Sequence, residues 1–225
     1  MREQKPYAYQ LINGKEVAVP CHFVLKNKTL SFQFPKGYNK NIELVIDPVL
    51  SFACSSGSTA DNFGMSATYD DKGHLYAGGT AFAQGYPITT GAYDETFDSS
   101  ALLPGNDVVI TKFDSSGTFL HYSTYLGGSS CEIISSMIVN AQGDLFIYGT
   151  TGSDNFPVST GGYDRTFNGG NPVAFPKNVT NYQEGTDLYV CHFNSTGSAL
   201  LASTYVGGSG NEGANNSNDL TYNYG

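Results

Sequence analysis

The chain has 225 residues, of which only 14% are charged, with 27 glycines, no tryptophan and a formal net charge of −9. An acidic chain without a Lys/Arg cluster lacks the electrostatic footprint of a nucleic-acid partner, and no stretch approaches the roughly 18 apolar residues that span a bilayer. With 40% hydrophobic and 13% aromatic residues it is not a disordered chain, and a Gly-, Asn- and Tyr-rich composition poor in helix formers predicts β-structure.

Met1 is followed by Arg2-Glu3-Gln4-Lys5-Pro6, which has no apolar core and does not read as a secretory signal. The expectation is a cytosolic chain, or one whose amino-terminal portion lies elsewhere. From Tyr7 to about Asp47 the segment reads as successive strands. Tyr7 to Ile12 runs into Asn13-Gly14, the strongest two-residue hairpin signal, and Val17-Ala18-Val19 follows. Cys21 to Leu25 and Leu30 to Phe34 are two more predicted strands joined by Lys26-Asn27-Lys28-Thr29, and Ile42 to Ile46 is another before Asp47-Pro48. So few strands bury too little surface for an independent domain, so residues 1–48 are expected to be the end of a larger, sandwich-like β-domain.

Everything after Pro48 is organised by an internal repeat. Gly73 to Asp98 matches Gly143 to Asn168 at an offset of 70, with 11 identities in 26 positions; these include Gly79-Thr80, Thr90-Gly91, Tyr93-Asp94 and Thr96-Phe97. Asp107 to Gly128 matches Asp187 to Gly208 at an offset of 80, with 10 in 22, including Asp107, Ser123-Thr124-Tyr125 and Gly127-Gly128. The change of offset is a ten-residue insertion around Asn171 to Glu184, expected in a surface loop. Each unit holds four strand signals; in the second these are Ser136–Val139, Asp144–Tyr148, Asp187–Phe193 and Leu200–Val206. Four antiparallel strands per period with Gly-rich exits predict a propeller-type blade. The repeats fall at 49–128 and 129–208, with the start of a third at 209–225. Two blades fall short of the four to eight that close a propeller and would leave sheet edges unpaired. The expectation is therefore a fragment of a longer protein or closure by association.

Tyr122-Ser123-Thr124-Tyr125-Leu126-Gly127-Gly128-Ser129, Asn155-Phe156-Pro157, Gly161-Gly162-Tyr163 and Asp107 to Phe113 resemble the seven-bladed β-propeller (SBBP-type) repeat family. The stretch from Val19 to Pro48 looks like the end of the β-rich domain that precedes such repeats. Cys54 and Cys131 depart from the pattern, standing where threonine and an acidic or amide residue are usual. The resemblance implies a large secreted Bacteroidota surface protein with gliding-motility-associated or type IX secretion carboxyl-terminal domains. Its signal peptide would lie outside these residues. The family has no assigned catalytic residues, so no active site carries over.

Independent signs of chemistry are sparse. Cys21, Cys54, Cys131 and Cys191 form no CxxC pair, so they are read as small buried residues or as two disulfides of open pairing. His74, His121 and His192 match Asp144, Leu201 and Lys112 in the other repeat, so no histidine site recurs. Glu132 and Glu212 recur after the Gly-Gly-Ser blocks, with Asn62 in that place in the first unit; they could line a channel or bond a turn. Asp70 to Gly73, Asp114 to Gly117 and Asn194 to Gly197 are too short for calcium loops and read as Asx turns. Three N-glycosylation sequons, at Asn27, Asn178 and Asn194, are idle in a bacterial chain. The weak ligand candidates are Tyr93, Phe97, Tyr163 and Phe167, which recur in both units. Their rings could stack on sugars, or seal one blade against the next.

The expectation is an all-β, non-catalytic extracellular module acting as scaffold or adhesion surface, with no metal and no cofactor. Its partners would be cell-surface proteins or glycans and the neighbouring blades, without nucleic acid or membrane insertion. The alternative is a carbohydrate-binding or polysaccharide-degrading propeller whose site lies in other blades. A third reading, a cytosolic fragment or misread frame, is weaker.

Overall fold

A computed structural model describes residues 6–27, 29–47, 55–98, 105–174 and 180–214. Cys54, Asn178, and the run 215–218 of the third repeat lie outside these residues. The architecture is all-β, and the chain divides into two compact units, Met1–Ala53 and Cys54–Gly225.

In the first unit β1 (Tyr7–Ile12) turns through Asn13-Gly14 into β2 (Lys15–Ala18). Both turn residues have positive φ, 52° and 74°, the conformation of a hairpin turn that matches strand twist, which Asn and Gly tolerate best. The two-residue link at Asn27 joins β3 (His22–Lys26) to β4 (Thr29–Gln33). The predicted strand Ile42 to Ile46 is shorter than expected. Only β5 (Val45–Asp47) pairs with β1, because Gln10, buried in β1, holds the chain before it. Its amide donates to the carbonyls of Asn39 and Ile42 at 2.7 and 2.9 Å and accepts from the Asn39 amide at 2.9 Å. A side-chain clamp stands in for the ladder. The core is small: Ala8, Val19 and Cys21, with Phe34 and Leu44 against them.

The second unit contains two antiparallel four-stranded sheets, one per repeat. The first is β6 (Asn62–Tyr69), β7 (Leu75–Ala81), β8 (Asp107–Phe113) and β9 (Leu120–Leu126), in that order. The second is β10 (Glu132–Val139), β11 (Leu145–Thr151), β14 (Asp187–Phe193) and β15 (Leu200–Val206). The repeat extends to defects in the ladder. Register shifts fall between Gly64 and Ser66 in β6 and between Ile134 and Ser136 in β10, positions 70 apart.

One face of the first sheet packs on the second sheet. Tyr76, Val108, Ile110, Tyr122 and Leu126 share a core with Leu145, Ile147, Tyr189, Cys191 and Phe193. Phe156, from the long β11-to-β14 connection, is buried in the same core. The insertion is more than a surface loop. Its arms form β12 (Val173–Ala174) and β13 (Asn181–Tyr182), paired through Val173–Tyr182 and Ala174–Asn181. Val173 and Tyr182 are buried with Cys131 in a satellite cluster.

The repeated loop residues close the outer edge of each sheet. Thr89 N donates to Ser123 O (3.1 Å), Tyr125 N to Asp94 O (3.0 Å), and Asp94 N to Thr124 Oγ1 (2.9 Å). In the second sheet Ser159 N donates to Ser203 O (3.0 Å), Tyr205 N to Asp164 O (3.0 Å), and Asp164 N to Thr204 Oγ1 (2.8 Å). An edge strand exposes a row of unpaired amides and carbonyls, and here a loop covers that row. The expectation of unpaired edges therefore fails at β9 and β15, because the Thr-Gly-x-Tyr-Asp loop folds back onto Ser-Thr-Tyr.

Candidate functional site

The four aromatic candidates divide into two pairs. Phe97 lies against Tyr125 at 5.9 Å and Phe167 against Tyr205 at 5.9 Å, each within its own repeat. Tyr93 is half-buried and crosses to the other repeat, meeting Phe193 edge-on at 5.4 Å while its amide donates to Gly197 O at 3.0 Å. Its counterpart Tyr163 is 93% exposed. Equivalent residues thus have different surroundings. The second sheet covers the face of the first that Tyr93 borders, and among the described residues the matching face of the second sheet is open.

That open face carries a groove of about 250 Å³ lined by Phe146, Gly162, Tyr163, Val190, His192 and Ala202, among others. Phe146 and His192 stack at 4.2 Å with an interplanar angle of 11°. His192 lies 3.3 Å from Asp144 Oδ2. Exposed apolar side chains, Tyr148, Val190 and Val206 at about two-fifths exposure each, continue the patch. The counterparts of the lining on the first sheet are Tyr76, Ala92, Tyr93, Ile110, Lys112 and Tyr122, and those residues are covered. The turn from Asn194 to Gly197 sits against them. Gly197 O accepts from Tyr93 N, Lys112 Nζ reaches Ser195 O at 3.5 Å, and a methyl on Gly197 would strike the Tyr122 ring. Gly197 also has φ +66°, so both conformation and close approach call for glycine. Lys112 stands 4.7 Å above the Tyr76 ring and 3.8 Å from Asp70 Oδ2. Its pKa is lowered by burial, with Asp70 opposing.

The recurring acids bond turns. Glu132 is fully buried and accepts from Ser153 Oγ (2.6 Å), Thr151 Oγ1 (2.7 Å) and the Gly128 amide (3.1 Å). Burial raises its pKa to about 7, against those hydrogen bonds. Asp107, also fully buried, accepts from the Asp98 amide at 2.8 Å, and its Oδ1 has no hydrogen-bond partner. Burial first, then neighbouring Glu132, raises its pKa to about 8. The same arrangement follows at Asp187, which accepts from Asn168 N (2.8 Å) and Gly169 N (3.1 Å). Glu132 N donates to Asn106 O and Glu212 N to Thr186 O, at 2.9 and 3.0 Å, so the third repeat starts on the second sheet as the second starts on the first. The repeat pointed to Glu132 and Glu212 as acids and to Asp107 and Asp187 only as recurring residues; nothing local in the sequence showed that Asp107 and Glu132 would be buried together.

The remaining candidates have local partners. Asp70 Oδ1 accepts from the Lys72 amide two residues on, as in an Asx turn, and from His74; Asp114 Oδ1 accepts from Thr118 and Phe119, and Asn194 Oδ1 from Ser198 and Ala199, four and five residues on, so these side chains span the whole turn. His74 Nδ1 is 2.8 Å from Asp70 Oδ2, and its ring meets His121 at 4.8 Å. Burial, with His74 and Lys112 nearby, lowers the His121 pKa. Cys21, Cys131 and Cys191 are buried, with sulfur contacts to Pro6 O, Asn181 O and Ser203 Oγ, and burial raises the Cys191 thiol to about 12. Among the described residues no group of three or more His, Cys, Asp or Glu is placed to hold a metal ion, and no helix is long and apolar enough to cross a membrane.

Comparison with curated proteins gives no match. Residues 1–49 match a protein family described as Domain of unknown function (DUF7948), and that segment corresponds to the strands of the first compact unit.

Proposed function

We propose that the chain is a non-catalytic β-propeller repeat module of SBBP type, serving as scaffold or adhesion surface of a secreted or cell-surface bacterial protein. The observation that carries this reading is the use made of the repeated polar residues. Asp94 and Asp164, Ser123 and Ser203, Thr124 and Thr204, and Asp107 and Asp187 all enter hydrogen bonds that fasten loops to sheets. A catalytic constellation needs polar groups converging on a space where a substrate can sit, and the repeated residues converge on the backbone instead. The likeness of the repeat motif to a secreted family supports the location. Tagging the protein in its native host and treating intact cells with protease tests it: a surface module is cleaved while cytosolic markers survive. A tag protected in intact cells and recovered in the cytosolic fraction would refute the surface assignment.

A carbohydrate-binding reading has one specific observation in its favour, the exposed Tyr163 ring beside the Phe146–His192 stack, since aromatic faces are platforms for sugars. Glycan binding by the purified chain that is abolished by Tyr163→Ala would select this reading. Glycan binding unaffected by that substitution would remove the ring from consideration.

A further inference from the structure

We propose that His74 and His121, at one end of the first sheet, form a binding site for a divalent late first-row metal ion, with Asp70 holding His74 in position from behind. The proposal goes beyond the scaffold reading and does not rest on it, because the site would be the same in a surface chain and in a cytosolic one.

A local feature places each histidine. The turn before β7 fixes the Asp70 carboxylate: Oδ1 accepts from the Lys72 and His74 amides at 3.0 and 2.9 Å, and Oδ2 from the Tyr76 hydroxyl at 3.2 Å. Oδ2 also lies 2.8 Å from His74 Nδ1. A carboxylate only accepts, so Nδ1 carries the proton and Nε2 presents its lone pair, the arrangement in which histidines ligate metals. His121 is set by the ladder. Lys112 pairs with Tyr122 and Phe113 with Leu120, so His121 is the extra residue of a bulge, which re-aims its side chain. Its ring packs edge-on against Phe119 at 5.1 Å and His74 at 4.8 Å. Among the described residues no hydrogen bond engages either of its nitrogens.

The spacing of the rings fits one shared ion. An imidazole centre lies about 3.2 Å from a metal that its nitrogen ligates at about 2.1 Å, so two rings meeting at one metal at about 90–110° have centres about 4.5–5.2 Å apart. The observed separation is 4.8 Å, with the ring planes 71° apart. His121 is exposed and His74 partly so, and water can fill the remaining coordination positions. Imidazole suits late first-row ions, whose affinities peak at Cu²⁺. Burial first, then His74, keeps the His121 pKa low, so the ring is neutral and able to ligate at neutral pH. Lys112 faces the same corner, but its ammonium stands 3.8 Å from Asp70 Oδ2, which pairs its charge. Two protein ligands are fewer than the three or four of a catalytic or structural zinc centre, so the ion exchanges with solution. The second repeat has Asp144 and Leu201 at these two places, and of the two sheets only the first carries the pair.

Calorimetric titration of the full, untagged and metal-stripped chain with NiCl₂ tests the site, and pulsed EPR of the Cu²⁺ complex counts its imidazole ligands. The wild type is expected to bind one Ni²⁺ per chain, to bind Cu²⁺ more tightly, and to show two imidazoles on the copper. His121→Leu installs the residue that the second repeat has at this exposed position. It is expected to weaken Ni²⁺ binding by at least about tenfold and to leave one imidazole on the copper, and His74→Gln is expected to do the same. His192→Gln is expected to bind as wild type does. No saturable binding by the wild type up to about 1 mM metal, or a wild-type copper spectrum with one imidazole or none, would overturn the proposal. So would undiminished binding by His121→Leu or His74→Gln, or loss of binding in a His192→Gln chain that keeps the wild-type circular dichroism spectrum. The wild-type titration and spectrum decide the matter even where a variant fails to fold.

Discussion

Gly127 stands between two buried acids. A methyl group there would strike Asp107 Oδ1 and lie 2.8 Å from Glu132 Oε2, neither of which has space to withdraw. Overpacking of a filled interior costs typically 1–3 kcal/mol. Gly127→Ala is expected to lower stability by about that amount, read as a shifted urea midpoint. Gly78→Ala should cost less, because the atoms it would meet, Ile134 Cδ1 and Met137 Sδ at 2.6 and 2.8 Å, are ends of flexible side chains. The Gly-Gly pair was legible in the sequence as a strand stop. Its second role, letting two carboxyls approach the backbone, was not, because Asp107 and Glu132 are 25 positions apart (132 − 107) and belong to different sheets.

At the scale of the element, the repeat motif is an edge cover. Thr124 Oγ1 accepts from the Asp94 amide at 2.9 Å and donates to Asp94 O at 3.1 Å. Thr124→Val keeps the shape and removes both bonds, leaving a half-buried amide without its acceptor. Losing such a bond costs about 1–3 kcal/mol. The expected result is faster hydrogen exchange of the Tyr125 amide, whose acceptor, Asp94 O, loses its anchor; unchanged exchange would contradict the edge-cover role. The two repeated tyrosines should also separate. Tyr93→Ala removes a half-buried ring from Phe193 and should cost about 1–3 kcal/mol, whereas Tyr163→Ala, at a solvent-exposed position, should fall within about 0.5 kcal/mol. Thermal melts of the two variants at low protein concentration check the difference. Strands β14 and β15 were legible to the residue from their alternation and turns. The strand expected at Ile42 was not, because the buried Gln10 amide captures that segment from 32 positions away, a contact invisible to local periodicity.

For the molecule as a whole, the junction between the sheets makes stability depend on pH. Asp107 and Glu132 have folded pKa values raised to about 8 and about 7, burial being the main cause, with Asp94 and Asp98 also adding negative charge nearby. Their unfolded values are near 4. The folded chain therefore holds protons that the unfolded chain has released. The stability this confers is complete below pH 4 and is lost as pH rises through 7 to 8. Acids with lowered values, Asp70 and Asp114, act only in the acid range, and His121, also lowered, acts as pH falls towards the ordinary histidine range. Melting between pH 6.5 and 8.5 therefore follows the buried pair, and the buried Cys131 and Cys191 thiols, whose values burial also raises, add to the fall near the upper end of that window. The melting temperature should fall across that window, with a slope of at most about 1.4 kcal/mol per pH unit for each proton held. Asp107→Asn places an uncharged group at the atom without a partner, and is expected to flatten the profile and raise the melting temperature at pH 8.5. A profile as steep as wild type would sink the assignment.

The sequence by itself determined the all-β class, the repeat and the strands within it, because these follow from alternation, turn residues and self-similarity, which are local or periodic. Only the tertiary structure decided what the repeated residues do. Tyr93 and Tyr163 stand at equivalent positions of the repeat, each in Thr-Gly-x-Tyr-Asp-x-Thr-Phe, yet one lies in a seam and the other in solvent, because the second sheet covers the face beside Tyr93 and, among the described residues, nothing covers the face beside Tyr163. The fate of a side chain in a stacked repeat depends on its neighbour, and that neighbour belongs to a different segment of chain.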